Sequence, residues 1–442
     1  MWLLPAFSAL ANTAARVYYR LTAAGESVPA TGPVLLVANH PNSLIDPMLV
    51  CAAARRPVRF LAKAPLFDDR KVGWLVRAMG AIPVYRREDD PALMRKNLDT
   101  FQAVYQALAG GAAVGIFPEG RSHSEPALAE LKTGAARIII GTWERHQLAV
   151  PVVPVGLVFR QKDVFRSETL VVVGAPMVAE QLLTNGAGEA DTVRVITERI
   201  GAALRQVTLN LERWEDRPLV ESAVGIWDVE WEADPDPAGR MQRLEVTTRL
   251  LAGLRQTPDP RWGGLVRDVR AHVRRLARLR LEPASLAART DAAAGVRWTA
   301  RRFHLVVPLA LVLAIGGWVG FIVPHLILDG FVGRLRLHQD ERSTWRLLLG
   351  IVIYAAWVLG LGGAAALGVG VGTGLLVAAG LPVVGVAGMV VRERWRGAWD
   401  DARRFFLLRS RRDLVRGLRR QQRELAERFR ALYEERAETV EA

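Results

Sequence analysis

Val34-Leu35-Leu36-Val37-Ala38-Asn39-His40-Pro41-Asn42-Ser43-Leu44-Ile45-Asp46-Pro47 is the stretch whose reading decides the fold. Its first five residues are apolar, short and partly β-branched, the pattern of a buried strand. Polar residues follow at once, so the strand delivers an imidazole and a carboxylate to its own mouth. Asp46 precedes Pro47 and the apolar segment Met48 to Ala54, which marks it as a helix N-cap with Pro at N1. Strand, loop and capped helix form the commonest unit of an α/β domain, and a cap alone accounts for Asp46. It does not account for His40, which at a strand end, oriented by a nearby carboxylate, is placed to take a proton from a hydroxyl.

Working outward, further strands are read at Pro57 to Ala62, Gly80 to Arg87, Ala112 to Phe117, Val150 to Phe159 and Thr169 to Val173. Helical spacing appears at Val72 to Met79, Pro91 to Leu108, Thr133 to His146 and Asp191 to Leu211. This alternation predicts an α/β domain over 25–211 with a mainly parallel sheet and flanking helices. In such a sheet, functional groups gather at the carboxyl ends of the strands. His40, Lys63, Arg86 and Glu119 with Arg121 each follow a predicted strand, which predicts a shared site.

The chain has 442 residues, enough for two or three structural units, and its hydrophobic fraction of 50% is high for a wholly soluble protein. Lys and Arg total 59 against 45 acids, a net charge of +14, and only five of the cations are lysines. Such a surface suits anionic lipid head groups and phosphorylated substrates. No nucleic-acid motif occurs, and the basic clusters flank apolar spans, so membrane lipid is the expected partner rather than nucleic acid. The single cysteine, Cys51, excludes an intramolecular disulfide and is read as core; no metal-ligand cluster and no nucleotide-binding glycine loop is found.

Residues 1–24 are read as an interfacial helix, with Tyr18, Tyr19 and Arg20 at head-group level. Residues 212–302 form an Arg-rich helical region. Within 303–391, Leu305 to Leu328 is apolar but broken by Pro308, Gly316, Gly317, Gly320 and Pro324, and Leu347 to Val391 carries no charge at all. The second run, about 68 Å as a helix, is twice a bilayer core and predicts a hairpin turning near Gly368 to Gly374. Trp298, Trp345, Trp395 and Trp399 sit at the ends of these two runs, where an aromatic belt would put them. Arginines crowd both flanks, Arg301 and Arg302 before and Arg392 to Arg404 after, which favours two crossings with the first run not fully spanning, three being the alternative. The globular domain then lies on the cytoplasmic face. The tail, 392–442, is a charged helix lying on the membrane or packing on itself.

Four segments in order resemble the glycerophospholipid acyltransferase superfamily: N-H-x5-D (Asn39 to Asp46), G-x-I-x-V-x-R (Gly80 to Arg86), F-P-E-G-R (Phe117 to Arg121) and V-P-V-V-P-V-G (Val150 to Gly156). The opening Asn-His-Pro-Asn and Asp46-Pro47 resemble the branch of fungal glycerol-3-phosphate and dihydroxyacetone-phosphate acyltransferases. One departure stands out: the family pattern has four residues between His and Asp, and here there are five, Pro41 to Ile45. The resemblance implies a membrane-bound enzyme transferring a fatty acyl group from acyl-CoA or acyl-carrier protein to glycerol-3-phosphate or its 1-acyl product, with no further cofactor. His40 is then the base and Asp46 its orienting acid. Arg86 and Arg121 bind the acceptor phosphate, Glu119 binds the glycerol moiety or orders those arginines, and Gly120 permits close backbone approach. Lys63 and Lys132 are second candidates for the phosphate. Two other readings stay open: a lysophospholipid acyltransferase or transacylase that remodels existing lipids, and a non-catalytic lipid-binding protein whose longer loop has disabled the site.

Overall fold

A computed structural model describes residues 4–70, 73–85, 95, 97–178, 189–256, 260–287 and 307–441. Arg86, Arg301, Arg302 and Trp298 lie outside the described residues. Two compact units are present: Met1–Asp216 with Pro235–Leu250 and Leu337–Thr344, and Arg217–Asp234 with Leu251–Arg336 and Trp345–Ala442.

The first unit opens with α1 (Leu4–Tyr18) and β1 (Arg20–Gly25), then β2 (Val34–Ala38), α2 (Ile45–Ala54), β3 (Val58–Lys63), the short α3 (Pro65–Asp68) and α4 (Gly73–Ala78), and β4 (Ile82–Val84). It continues with α5 (Asn97–Ala109), β5 (Ala113–Ile116), α6 (Gly134–His146), β6 (Val152–Phe159), β7 (Glu168–Val173) and α7 (Glu189–Val207). The strands form one sheet in the order β1-β7-β6-β2-β5-β3-β4. Every pairing is parallel except β6 with β7. The α/β expectation therefore holds. β2 is central, paired with β5 on one side and β6 on the other, and all five of its residues are buried, as a strand with both faces covered must be. Chain order leaves β2 toward β3 on one side and returns to β6 on the other, so the loops after β2, β5 and β6 converge at the carboxyl edge.

The amino-terminal expectation is corrected. Arg20 to Gly25 is not helix but the edge strand β1, paired with β7 from Arg20↔Glu168 to Gly25↔Val173. Tyr18 and Tyr19 are buried in the domain instead of standing at head-group level. Their rings pack on each other and on Phe165 and Phe159, and the Tyr19 hydroxyl finds polar partners inside. The sheet domain thus begins before residue 25.

In the second unit, α8 (Arg217–Glu230) precedes α9 (Pro237–Gln256), whose residues up to Leu250 belong to the first unit, and α10 (Pro260–Arg278) follows. The Arg-rich stretch 212–302 is therefore divided between units rather than being a region of its own. α11 (Val307–Arg334), α12 (Arg342–Gly368), α13 (Val371–Ser410) and α14 (Arg412–Glu441) complete the chain. α10 buries Trp262, Leu265, Val269, His272 and Leu276, a stripe at three- and four-residue spacing, and α14 buries Val415, Leu418, Leu425, Ala426 and Leu432 in the same way. The tail is consequently no free amphipath: it packs with α8 and α10 in one cluster holding Leu219, Ile226, Trp262, Leu265, Leu425 and Leu432. Exposed ion pairs such as Arg428 with Asp268, 2.7 Å, contribute roughly 0–1 kcal/mol each. Each buried leucine contributes about 2 kcal/mol, so the apolar stripe decides the packing.

Among the described residues, three helical segments are long and apolar enough to cross a membrane: Leu311–Arg334, Arg342–Gly368 and Val371–Ser410. The first run, expected to be broken, lies from Val307 on in one continuous helix with Pro324 inside it. The expected hairpin turn is present between Gly368 and Val371. α11 and α13 approach so closely that a Cβ on Gly388 would stand 2.3 Å from the Leu313 carbonyl oxygen, and one on Gly385 would stand 2.4 Å from the Phe321 ring. Small residues at such a crossing let helix backbones meet where no hydrophobic force separates lipid from protein. Gly388→Leu is expected to push the helices apart at a cost of about 2 kcal/mol or more. A cysteine pair across the contact would then crosslink in the parent chain and fail to do so in the variant.

Candidate active site

β2 ends at Ala38, and Asn39 extends its hold on β6 through a side chain. The amide donates to the Leu157 carbonyl at 3.1 Å and accepts from the Leu157 N–H at 2.7 Å, as a further peptide of the ladder would. The chain therefore leaves the sheet at a fixed point, one residue before His40. His40 Nδ1 lies 2.8 Å from Asp46 Oδ2, and the same oxygen accepts the Asn42 N–H at 2.7 Å. The Asp46 side chain is wholly buried, while that of His40 is 19% exposed. The acid is inside and the imidazole reaches the surface.

The extra residue between His40 and Asp46 is absorbed by a tight turn. Ser43 takes a left-handed backbone, φ 45°, and the Ile45 and Asp46 N–H groups bond back to the Asn42 and Ser43 carbonyls. The longer spacing does not separate the pair. The helix then starts at Ile45, so Asp46 is not an N-cap but lies inside the first turn, and Pro47 falls at the third helical position rather than the first. That position still has no carbonyl to receive an N–H, so proline fits there. Cys51 on the same helix is buried, and burial pushes its thiol up to about 11.

Asp46 loses hydration completely, and burial raises its carboxyl above the ordinary range. The His40 imidazole, the Asn42 N–H and the Lys162 ammonium oppose that rise. Among the described residues Asp46 Oδ1 has no hydrogen-bond partner, so the stabilisation of the acid falls on Oδ2. With Nδ1–H donated to Asp46, Nε2 is the nitrogen left to accept a proton. The imidazole stacks on Phe117, centroids 4.1 Å apart and planes 10° apart, and Phe117 stacks in turn on Phe60. Phe60 has room because Gly115 below it carries no side chain. Two interactions at right angles, ring stacking and the Asp46 bond, thus hold the imidazole.

Glu119 follows β5 and is buried, and its carboxylate is occupied from within the chain. Oε1 accepts the His40 N–H at 2.7 Å; Oε2 accepts the Ala129 N–H at 2.7 Å and bonds His123 Nε2. The His40 carbonyl accepts the His123 N–H at 3.1 Å. The carboxylate ties the two motif loops together and has no exposed surface of its own. The Glu125 N–H lies 3.2 Å from His123 Nδ1, so in the neutral tautomer both ring nitrogens are engaged. Gly120 has φ +73°, which a side-chain-bearing residue adopts with strain, and it turns the chain toward Arg121. Arg121 is exposed and pairs with Glu125 at 2.7 Å, a surface contact worth about 0.5 kcal/mol. Lys132 is exposed, with its Cγ 3.5 Å from a Cβ built on Gly120, and Lys63 ends β3, also exposed.

Lys162, on the loop after β6, belongs to this site although its sequence context gives little sign of it. Its ammonium reaches the carbonyls of Pro41 at 2.8 Å and His123 at 3.3 Å and the Ser124 hydroxyl at 2.6 Å, bridging the loops after β2 and β5 from below. Its own carbonyl accepts from Tyr19, Asn42 and Ser343. The readable signal is position alone: Lys162 follows a strand at the same sheet edge as His40 and Glu119. Among the described residues no group of three or more His, Cys, Asp or Glu side chains stands ready to hold a metal ion.

Residues 20–158 match the acyltransferase family model, which bears out the resemblance carried by the four motifs. Among relatives, glycerol-3-phosphate O-acyltransferase 2 of Saccharomyces cerevisiae is 30% identical over 166 residues, covering 37% of this chain and 22% of the yeast protein. The chloroplastic 1-acyl-sn-glycerol-3-phosphate acyltransferase BAT2 of Brassica napus is 30% identical over 133 residues, 30% of this chain and 35% of that one. The chain thus spans well under half the length of these relatives. Among solved structures, the 1-acyl-sn-glycerophosphate acyltransferase PlsC of Thermotoga maritima aligns over 46% of this chain and 78% of its own, with 19% identity and a TM-score of 0.35.

Proposed function

We propose that the acyltransferase domain over residues 20–158 makes this chain a membrane-integral O-acyltransferase. It would esterify glycerol-3-phosphate or 1-acylglycerol-3-phosphate from acyl-CoA or acyl-carrier protein, with the catalytic domain on the cytoplasmic face. The observation that carries this is the His40–Asp46 pair, 2.8 Å apart at the carboxyl edge of β2, with the Phe117–Arg121 loop bonded to it. An alcohol is a poor nucleophile at neutral pH, so His40 Nε2 takes the hydroxyl proton as the oxygen attacks the thioester carbonyl. The tetrahedral intermediate collapses, the thiolate departs, and the imidazolium returns the proton to it; the products are one ester and one free thiol. Asp46 stabilises the imidazolium in between. No acyl-enzyme is needed, and buried Cys51 has no part.

Membranes containing the full chain, supplied with labelled glycerol-3-phosphate or lysophosphatidic acid and each acyl donor, test the reading by mass spectrometry of the products. Acylation of lysolipids lacking a terminal phosphate, and of neither of these acceptors, would replace it with lipid remodelling. Arg121 supplies a finer test. Arg121→Ala is expected to raise KM for the phosphorylated acceptor about tenfold while leaving KM for the acyl donor unchanged. Equal KM values in parent and variant would remove Arg121 from phosphate recognition.

A further inference from the structure

Leu337–Thr344, the link between two helices long enough to cross a membrane, belongs to the sheet-bearing unit, far from it in sequence. It comprises a polar loop and the first turn of α12, and it reaches both the catalytic loop after β2 and the loop after β6. Thr344 Oγ1 accepts the Leu44 N–H at 3.2 Å, one of the donors ahead of α2 that no helical carbonyl can satisfy. Ser343, wholly buried, donates its hydroxyl to the Lys162 carbonyl. Arg342 pairs with Asp163 at 3.7 Å beside it, and Asp340 Oδ2 stands 3.4 Å from Ser43 Oγ. Ser43 is the left-handed residue that accommodates the fifth position between His40 and Asp46, and it is braced on its other side by Ser122, whose hydroxyl accepts its N–H at 3.0 Å. A loop with one residue more than the family pattern, turning through a strained conformation, needs outside support to hold one geometry.

We infer that Leu337–Thr344 is a strap that positions the His40–Asp46 pair, with Ser343 and Thr344 as its positioning residues, so that the order of the catalytic loop depends on the link between two membrane-length helices. The inference rests on the proposed role of His40 in acyl transfer. The two hydroxyls act through the Leu44 N–H and the Lys162 carbonyl. Their loss should therefore slow turnover without weakening substrate binding.

The test uses the full chain in vesicles carrying Ser343→Ala with Thr344→Val, and the conservative pair Ser343→Thr with Thr344→Ser. The first is expected to lower kcat about tenfold with both KM values within about twofold, and to speed backbone hydrogen exchange over 39–47 but not over 113–116. The conservative pair should restore both readouts. Unchanged exchange over 39–47, or a rise in KM with kcat intact, overturns the strap. If the parent transfers no acyl group to any acceptor while exchange still rises in the variant, the strap stands and the proposed activity falls.

Discussion

His40→Ala is expected to lower kcat by roughly a thousandfold or more while leaving the protein folded. The imidazole lies at the mouth of the site, stacked on Phe117 and partly exposed, so its removal opens no sealed cavity. What is lost is the group at which the hydroxyl proton is taken and from which the thiolate recovers it, so both halves of the transfer suffer together. Asp46→Asn isolates the electrostatic part. An asparagine keeps the volume and offers one oxygen to His40 Nδ1 and the Asn42 N–H, the two donors that Oδ2 now accepts. It carries no charge to stabilise the imidazolium, so a loss of two to four orders of magnitude in kcat is expected, with little change in KM. Initial rates in membranes normalised to protein level check both. A His40→Ala enzyme within a few-fold of the parent would remove His40 from the chemistry.

Much of this site was legible because the sheet publishes it. A continuous apolar run such as Val34 to Ala38 has few alternatives to a central parallel strand, and whatever follows it must emerge at the carboxyl edge. That places His40 and Glu119 before any coordinate is known. The neighbours that hold them are less legible, since long-range contacts leave no period in the chain. Asn39 reads as a motif letter, and its amide proves to be a surrogate peptide to Leu157. Lys162 is a lone lysine after a strand. Tyr18 and Tyr19, next to an apolar helix and an arginine, carry the composition of a membrane interface, and burial of their rings overrides it. Leu337–Thr344 is in sequence only a polar gap between two apolar runs, and gaps of that kind are normally solvent loops. Three motif loops meeting at one edge explain the motifs; they do not predict which distant segment will close over them.

Glu119 offers the second large effect, and the expected result for Glu119→Gln differs from a binding defect. The carboxylate receives three N–H groups, from His40, Ala129 and His123, in a site with no water-exposed surface on the acid. A glutamine has a single acceptor oxygen, and its amide nitrogen would turn donors toward at least one of those N–H groups. One stranded buried donor costs about 1–3 kcal/mol, and facing two donors together costs more, so a loss of about 3 kcal/mol in unfolding free energy is expected. kcat should fall with it, because the His40 backbone loses an anchor, while KM for the phosphorylated acceptor holds. A rise in that KM with stability intact would instead return Glu119 to acceptor binding.

The pH dependence separates the same alternatives. The bond to Glu119 holds the His123 imidazole above its ordinary value, against the opposing effect of burial. A histidine raised on folding adds stability that is fully present below its unfolded value, about 6.5, and is lost as pH rises through the raised folded value. The parent should therefore lose this increment on going from mildly acidic to mildly alkaline solution. In Glu119→Gln the increment is absent, so the difference in unfolding free energy between parent and variant should be widest near pH 6 and narrow above the raised value. A gap that stays constant across that window would mean the Glu119–His123 bond contributes nothing to the charge state of the ring, leaving only the backbone anchors to account for the loss.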